Sequence, residues 1–270
     1  MDTLIDSPRV PVIDLSLFEA GDPWRDHLAA QIDWAGSTFG VFQLIGHGVD
    51  PGPGETLIDL GRKFLGSQAN EVDELSFGSQ SAAGSASRCR HNHFPDLPGF
   101  RDAVHDYMTA VTGLGHKLMT TIARGLGLHD GYFVDRYTGN PTTLLRVLSC
   151  RSLRVSEDRT AEQRLLTFTR QDEAGGLQIS CRDRWVEVPV VPGALVCCVG
   201  SVLRRMTDGH YMAVATRLSN SSVRDRLSLT FSFDPSPDFL QVEVGPLQTG
   251  TLRGKPWSAT PEAARPGTCR

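Results

Sequence analysis

The chain has no apolar run approaching the ~18 residues of a membrane-crossing helix, no block of Lys and Arg, and no pair of Cys-x-x-Cys motifs. The first absence argues against a helical membrane anchor. The second, with a formal net charge of −4, argues against nucleic acid or an anionic membrane as partner, since both are captured by clustered positive charge. The third argues against a structural zinc site. Six cysteines are present, at Cys89, Cys150, Cys181, Cys197, Cys198 and Cys269. Cys197 and Cys198 lie side by side in the apolar run ALVCCVG and read as small reduced hydrophobes in a strand. The first residues, MDTLIDSPRVPVIDLS, are acidic and lack the apolar centre of a signal peptide, which sets a cytoplasmic location as the expectation.

What is present is a chain of 270 residues, 40% hydrophobic, enough to bury a sizeable core. Residues 10–18, VPVIDLSLF, read as an opening strand. Trp24, Leu28, Ile32 and Ala35 recur at helical spacing over 23–38, and 41–49 reads as a second strand. Leu57, Leu60 and Phe64 mark a helix over 53–66. The stretch 67–96 is irregular, and its small polar part, GSQSAAGSASR, reads as a loop. A long helix is expected over 98–128, with Gly113 and Gly115 weakening its middle. After Pro141 short β-rich runs alternate with turn residues, from LLRVLSC and LLTFTRQ through HYMAVATRL to RLSLTFSF, as in a sandwich or barrel.

Several of these blocks, in this order, resemble the isopenicillin N synthase-like non-haem iron(II)/2-oxoglutarate oxygenases. They are VPVIDLS, FGVFQLIGHGV (39–49), PGFR (98–101), LLRVLSC, QDEAGGLQI (171–179), WVEVPVVPGALVCCVGSVLRRMTDG (185–209) and RLSLTFSFDP (226–235). The resemblance implies mixed α and β structure: a double-stranded β-helix, or jelly-roll barrel, with N-terminal and flanking helices. It divides a single structural domain into an N-terminal strand and helix region (1–97), the long helix with the jelly-roll core (98–245) and a C-terminal tail (246–270).

The family's chemistry rests on two imidazoles and a carboxylate on one face of iron(II), with positions left open for co-substrate and oxygen. Aligned on LLTFTRQD, the first imidazole position is Thr160 and the carboxylate position Glu162; an alternative register uses Ser156 and Asp158. Aligned on MTDG (206–209), the second imidazole position is Thr216. The family's 2-oxoglutarate-contacting Tyr falls within Leu148, Ser149 and Cys150, and its Gly-Asp turn reads Gly200, Ser201. The Arg-x-Ser pair that grips a carboxylate is kept, as Arg226 and Ser228. A guanidinium fork fits a carboxylate with two hydrogen bonds, and the neighbouring hydroxyl adds a third.

With no imidazole at either position, the sequence favours a metal-free site and a metal-independent isomerase, cyclase or lyase, with Glu162 as acid or base. Arg226, Ser228, Thr160, Thr216 and His93 would then bind a carboxylated or otherwise polar small molecule. No cofactor is expected on that reading. Two alternatives stand beside it: a non-catalytic binding or partner protein, and an Fe(II)/2-oxoglutarate oxygenase that uses substitute ligands such as Glu162 and a loop histidine. Each residue also has a plainer reading. Arg226 could form an edge-strand salt bridge, Glu162 could be a solvated loop carboxylate, and His91 and His93 could be surface histidines. Read as one strand, HYMAVATRL puts His210 and Thr216 on one face about 20 Å apart, too far to share a metal.

Overall fold

The computed structural model describes residues 10–67, 74–78, 89–150, 154–156, 164–181, 184–220 and 225–240. The N-terminal part supplies β1 (Val12–Asp14), α1 (Asp22–Thr38), β2 (Val41–Ile45), α2 (Pro51–Ser67), β3 (Glu74–Gly78), β4 (Cys89–His91) and α3 (Phe100–Gly125). The rest is mainly strand: β5 (Thr142–Cys150), β6 (Arg154–Ser156), β7 (Leu166–Gln171), β8 (Leu177–Cys181), β9 (Arg184–Glu187), β10 (Leu195–Val199), β11 (Thr216–Asn220) and β12 (Arg226–Asp234). Two short helices, α4 (Ser201–Met206) and α5 (Pro237–Leu240), interrupt and follow them.

The strands form two sheets. An eight-stranded sheet has the order β1-β2-β10-β7-β12-β5-β3-β4, and a four-stranded sheet the order β6-β11-β8-β9. Strands from β5 onward pass back and forth between the sheets, which winds the chain into the jelly roll. The large sheet has two different faces because side chains alternate along a strand. On β12, Leu227, Leu229, Phe231 and Phe233 join the core shared with the helices. Arg226, Ser228, Thr230, Ser232 and Asp234 occupy the opposite, interior face, and all nine residues are buried. A second apolar cluster, with Val41, Leu148, Ile179, Val196 and Leu218, fills the space between the sheets.

The long helix α3 runs unbroken for 26 residues, despite its two glycines. A Cβ at Gly115 would stand 2.6 Å from the Phe233 ring, whereas one at Gly113 would meet nothing within 4 Å. Gly115 is therefore a notch that lets α3 lie close against β12. At its C-terminal end, Arg124 donates to Asp22, Asp26 and Asp130. These bonds draw the start of α1 and the loop after α3 together, with the cation at the negative end of the helix dipole.

Three expectations from the sequence need correction. The first strand is only Val12–Asp14, because Asp14 accepts a hydrogen bond from Ser16 N–H at 2.9 Å and turns the chain into a 3-10 helix, Leu15–Ala20. The irregular interval 67–96 contains a strand: Glu74–Gly78 pairs with β5 as part of the large sheet. In HYMAVATRL the strand starts only at Thr216. Before it, Tyr211 packs against Gly36, and His210 Nε2 meets Asp33 Oδ1 at 2.7 Å. The segment is docked on α1, so strand parity does not relate His210 to Thr216. The run GSQSAAGSASR falls almost wholly outside the described residues.

This packing makes two predictions. Gly113→Ala should raise stability by about 1 kcal/mol through helix propensity, while Gly115→Ala should lower it by roughly 1–3 kcal/mol through overpacking against Phe233. Urea denaturation of both variants checks the pair, and equal shifts would remove the notch from the account. The second concerns His210, whose pKa is raised chiefly by its hydrogen bond to Asp33. A histidine with a raised folded pKa contributes stability that is complete below the unfolded value of about 6.5 and is lost as pH rises through the folded value. His47 and His116, lowered mainly by burial, act with the opposite sign. The difference in Tm between wild type and His210→Gln should therefore be largest below about pH 6.5 and shrink at higher pH. A difference that grows with pH would refute the ion pair.

Candidate functional site

The interior face of β12 brings Arg226 and Ser228 to one end of the space between the sheets. Arg226 lies opposite Cys150 on β5, and Ser228 lies between Leu148 on β5 and Gln171 on β7. Arg226 is 1% exposed and Ser228 is fully buried. Nε, Nη1 and Nη2 of Arg226 and Oγ of Ser228 have no hydrogen-bond partner among the described residues. Burial draws the Arg226 pKa downward, opposed by the negative fields of Asp172, Cys150 and Glu187.

Asp172 does not hydrogen-bond to this arginine. Its Oδ2 accepts Leu227 N–H at 2.7 Å and faces Arg62 at 3.4 Å, and its Oδ1 accepts Ala174 N–H at 3.1 Å. Arg146 is served differently. It is the other buried arginine of the described residues, and it donates through Nε and Nη2 to the two oxygens of Glu74, each at 2.8 Å. Among the described residues, the fold thus gives one interior guanidinium its own carboxylate and leaves the other without one. A buried charge without a partner has lost its hydration for nothing, and a carboxylate arriving from outside would restore the balance.

The turn between β7 and β8 shapes this end. Gly176 has φ +81°, and a Cβ there would run into Ser219 O and come within 3.2 Å of Arg226 Nη1. Glycine is required both by the left-handed backbone and by the close approach of the guanidinium. Gln171 holds the turn closed: its Oε1 accepts Leu177 N–H at 3.0 Å, and its Nε2 donates to Val188 O at 3.3 Å. Both residues stand in the QDEAGGLQ block, but nothing in the sequence alone assigned them these tasks. Glu74 was missed because it sits in the interval that showed no regular pattern. Outside this end of the barrel a cleft of about 920 Å³ runs between α2 and the segment before β10, lined in part by Gln43, Arg62, Arg170, Asp172 and Val196.

The other residues singled out from the sequence are placed differently. Thr216 is 7% exposed and shares the interior face of β11 with Leu218 and Asn220. Asn220 Nδ2 donates to Cys150 O at 2.8 Å, which ties β11 to β5 at the level of Arg226. Thr216 is four residues further along, about 13 Å by strand rise, toward the opposite end. His93 is exposed beyond β4, the edge strand of the large sheet. Thr160 and Glu162 lie outside the described residues. His47 is held in its turn, its Nε2 against Gly193 O at 2.9 Å and its Nδ1 accepting Val49 N–H at 3.1 Å.

Comparison with known proteins bears on what fills the site. The family model for the 2OG-Fe(II) oxygenase superfamily matches residues 149–235, and that for the N-terminal region of the non-haem dioxygenase in morphine synthesis matches residues 10–87. A probable iron/ascorbate oxidoreductase of Dictyostelium discoideum is 28% identical over 87% of this chain and 84% of its own length. Flavanone 3-dioxygenase 2 of Oryza sativa subsp. japonica is 28% identical over 91% of this chain and 78% of its own. Among solved structures, a full-length Neurospora crassa protein in complex with alpha-KG superposes with a TM-score of 0.72 at 18% identity, covering 87% of this chain and 88% of that one. JOX2 in complex with 2OG, Fe and JA gives a TM-score of 0.72 at 21% identity, covering 92% and 81%. At such identities these structures establish the shared fold.

The expectation of a cofactor-free protein is thereby corrected: related proteins are 2-oxoglutarate and iron enzymes, and solved neighbours hold 2-oxoglutarate, in one case with iron. The unpartnered Arg226 and Ser228 fit the 2-oxoglutarate part of that requirement. For iron, the described residues alone do not suffice. Thr216 offers a neutral hydroxyl, a weak donor to iron(II), and no group of three His, Cys, Asp or Glu among the described residues could hold a metal ion. Sequence, fold and family models agree on the assignment: the chain belongs to the non-haem Fe(II)/2-oxoglutarate oxygenase superfamily.

Proposed function

We propose that this protein is a 2-oxoglutarate-dependent oxygenase acting on a small molecule, with 2-oxoglutarate bound at Arg226 and Ser228 and iron(II) recruited through substitute ligands that include Glu162. The observation that carries the reading is the pair of unpartnered polar side chains at the base of the barrel, beside a second buried arginine that has its carboxylate. The distal carboxylate of the co-substrate takes two hydrogen bonds from the Arg226 fork and one from Ser228 Oγ. Gly176 leaves the guanidinium room that a Cβ would take, and Gln171 closes the turn that carries it. The burial that makes Arg226 costly when unpaired also excludes water from the carboxylate it grips, which strengthens the contact. When bound with iron, 2-oxoglutarate supplies two of the electrons that reduce dioxygen as it loses carbon dioxide and becomes succinate. On this reading the Thr216 hydroxyl, toward the other end of the interior, contacts the substrate or the surroundings of the metal.

Isothermal titration with 2-oxoglutarate tests the binding half. A charge-assisted hydrogen-bonded pair is worth about 1.5–3 kcal/mol, so Arg226→Met should weaken binding by roughly 10- to 150-fold. Arg226→Lys should recover only part of it, because an ammonium cannot form the fork. Without ligand, Arg226→Met should also melt at a higher temperature than wild type, since it removes an uncompensated buried charge. Equal affinity in wild type and Arg226→Met would sink the assignment. The catalytic half is read as succinate formed from 2-oxoglutarate on addition of iron(II) and oxygen, lost in Glu162→Ala. Binding without succinate would leave a carboxylate-binding protein and remove the oxygenase.

A further inference from the structure

Cys150 lies directly opposite Arg226 in the β5–β12 ladder, on the same interior face, and is 5% exposed. Directly opposed side chains in an antiparallel pair have Cβ atoms about 4.5–5.5 Å apart. The Asn220 amide holds the Cys150 backbone from the other sheet, so this juxtaposition is fixed from both sides. Cys150 is in no disulfide, and among the charged groups that act on Arg226 it stands with Asp172 and Glu187. Asp172 is committed to backbone amides and Arg62, and Glu187 is exposed at the end of β9. Cys150 is the member of the three that shares a strand-pair face with the guanidinium.

The other strand cysteines are different. Cys197 belongs to the core shared with the helices, and burial holds its thiol well above the usual range. Cys198 faces the interior apolar cluster, and burial pushes it up to about 12. Neither has a cation across the ladder: Cys197 faces Phe42 and Phe168, and Cys198 faces Val41 and Thr167. The thiolate is the reactive form of cysteine, and an adjacent guanidinium favours it. Cys181 on β8 does lie opposite an arginine, Arg184, but that arginine is exposed. The buried guanidinium without a hydrogen-bond partner is the one opposite Cys150.

We propose that Cys150 is an oxidation-sensitive thiol within the carboxylate site, and that its sulfenate occupies Arg226 in place of the ligand carboxylate. The inference rests on the binding reading given above. In the step, the Cys150 thiolate attacks one oxygen of hydrogen peroxide. An S–O bond forms and the O–O bond breaks. Two electrons pass from sulfur to peroxide, and the departing hydroxide takes a proton from solvent to become water. The remaining hydroxyl proton is lost to give the sulfenate. The product carries its negative charge beside the guanidinium fork, where it competes with an entering carboxylate, and an excess of a small dithiol returns it to the thiol with loss of water.

The test combines labelling with binding on the full chain. Protein treated with hydrogen peroxide and then with dimedone is digested and mapped by mass spectrometry, while 2-oxoglutarate affinity is measured before oxidation, after it, and after dithiothreitol. The proposal expects the dimedone adduct at Cys150 and little at Cys197 or Cys198. Saturating 2-oxoglutarate or succinate should slow that labelling, and Arg226→Met should slow it about tenfold or more, through loss of thiolate stabilisation. Affinity should fall about tenfold on oxidation and return with dithiothreitol, whereas the affinity of Cys150→Ser, whatever its starting value, should not change with peroxide. Labelling unchanged in both Arg226→Met and Arg226→Lys, or a peroxide effect that persists in Cys150→Ser, would overturn it. If untreated protein and Cys150→Ser both fail to bind 2-oxoglutarate, the binding reading fails; the dimedone map and its dependence on Arg226 still decide whether this thiol is activated.

Discussion

Strand β12 has to satisfy two demands with nine consecutive buried residues. Its apolar side chains face α3 and the rest of the helical layer, and the polar ones face the space between the sheets. Neither set is exchangeable for the other, because a slip of one residue would drive Arg226 and Asp234 into the apolar core and the phenylalanines into the interior. The register is held by neighbours on both sides: β5 pairs along the whole length and β7 along most of it. Asp234 closes the far end by accepting Leu165 N–H at 2.8 Å and pairing with Arg164 at 3.0 Å. Everything at the candidate site depends on that register.

Polar groups inside the barrel are sorted by whether the chain completes them. Arg146 with Glu74 is a closed pair that joins β5 to β3 and needs nothing from outside. Gln171 is spent on the turn that follows its own strand. At the Arg226 end, the guanidinium and the Ser228 hydroxyl have no hydrogen-bond partner among the described residues. The geometry resembles a socket whose wall is complete and whose base is charged, and the charge is positive. On the proposed reading, that charge favours an anion before any shape or length of ligand is considered.

Much of this was legible in the sequence, and the limits are physical. The ordered blocks named the barrel, and the two-residue step from Arg226 to Ser228 placed both on one face, because strand periodicity is rigid. The start of β11 was misread because apolar residues docking on a helix look the same in sequence as apolar residues in a strand. Tyr211 belongs to the first kind. β3 was missed because five residues, ELSFG, in a stretch of small polar neighbours carry too little alternation to stand out. The partner of Arg146 was hidden with it, since a contact spanning 72 positions leaves no local trace. The expectation of a cofactor-free protein went wrong for another reason. It inferred chemistry from two ligand positions alone, while the Arg226–Ser228 pair, kept in the family's spacing, was consistent with the family's usual co-substrate.

The division of labour along β12 bears on how such a protein changes over time. Substitutions at alternate positions touch different things: one set alters the helix-facing core, and the other alters what the interior presents. Interior residues can therefore drift while the outward set preserves the scaffold, and a lineage can exchange one bound molecule for another without passing through an unfolded intermediate sequence. The notch at Gly115 is the converse case. It belongs to the helix-facing layer, where a Cβ would run into the Phe233 ring, so a change there strains the scaffold rather than altering what the interior presents.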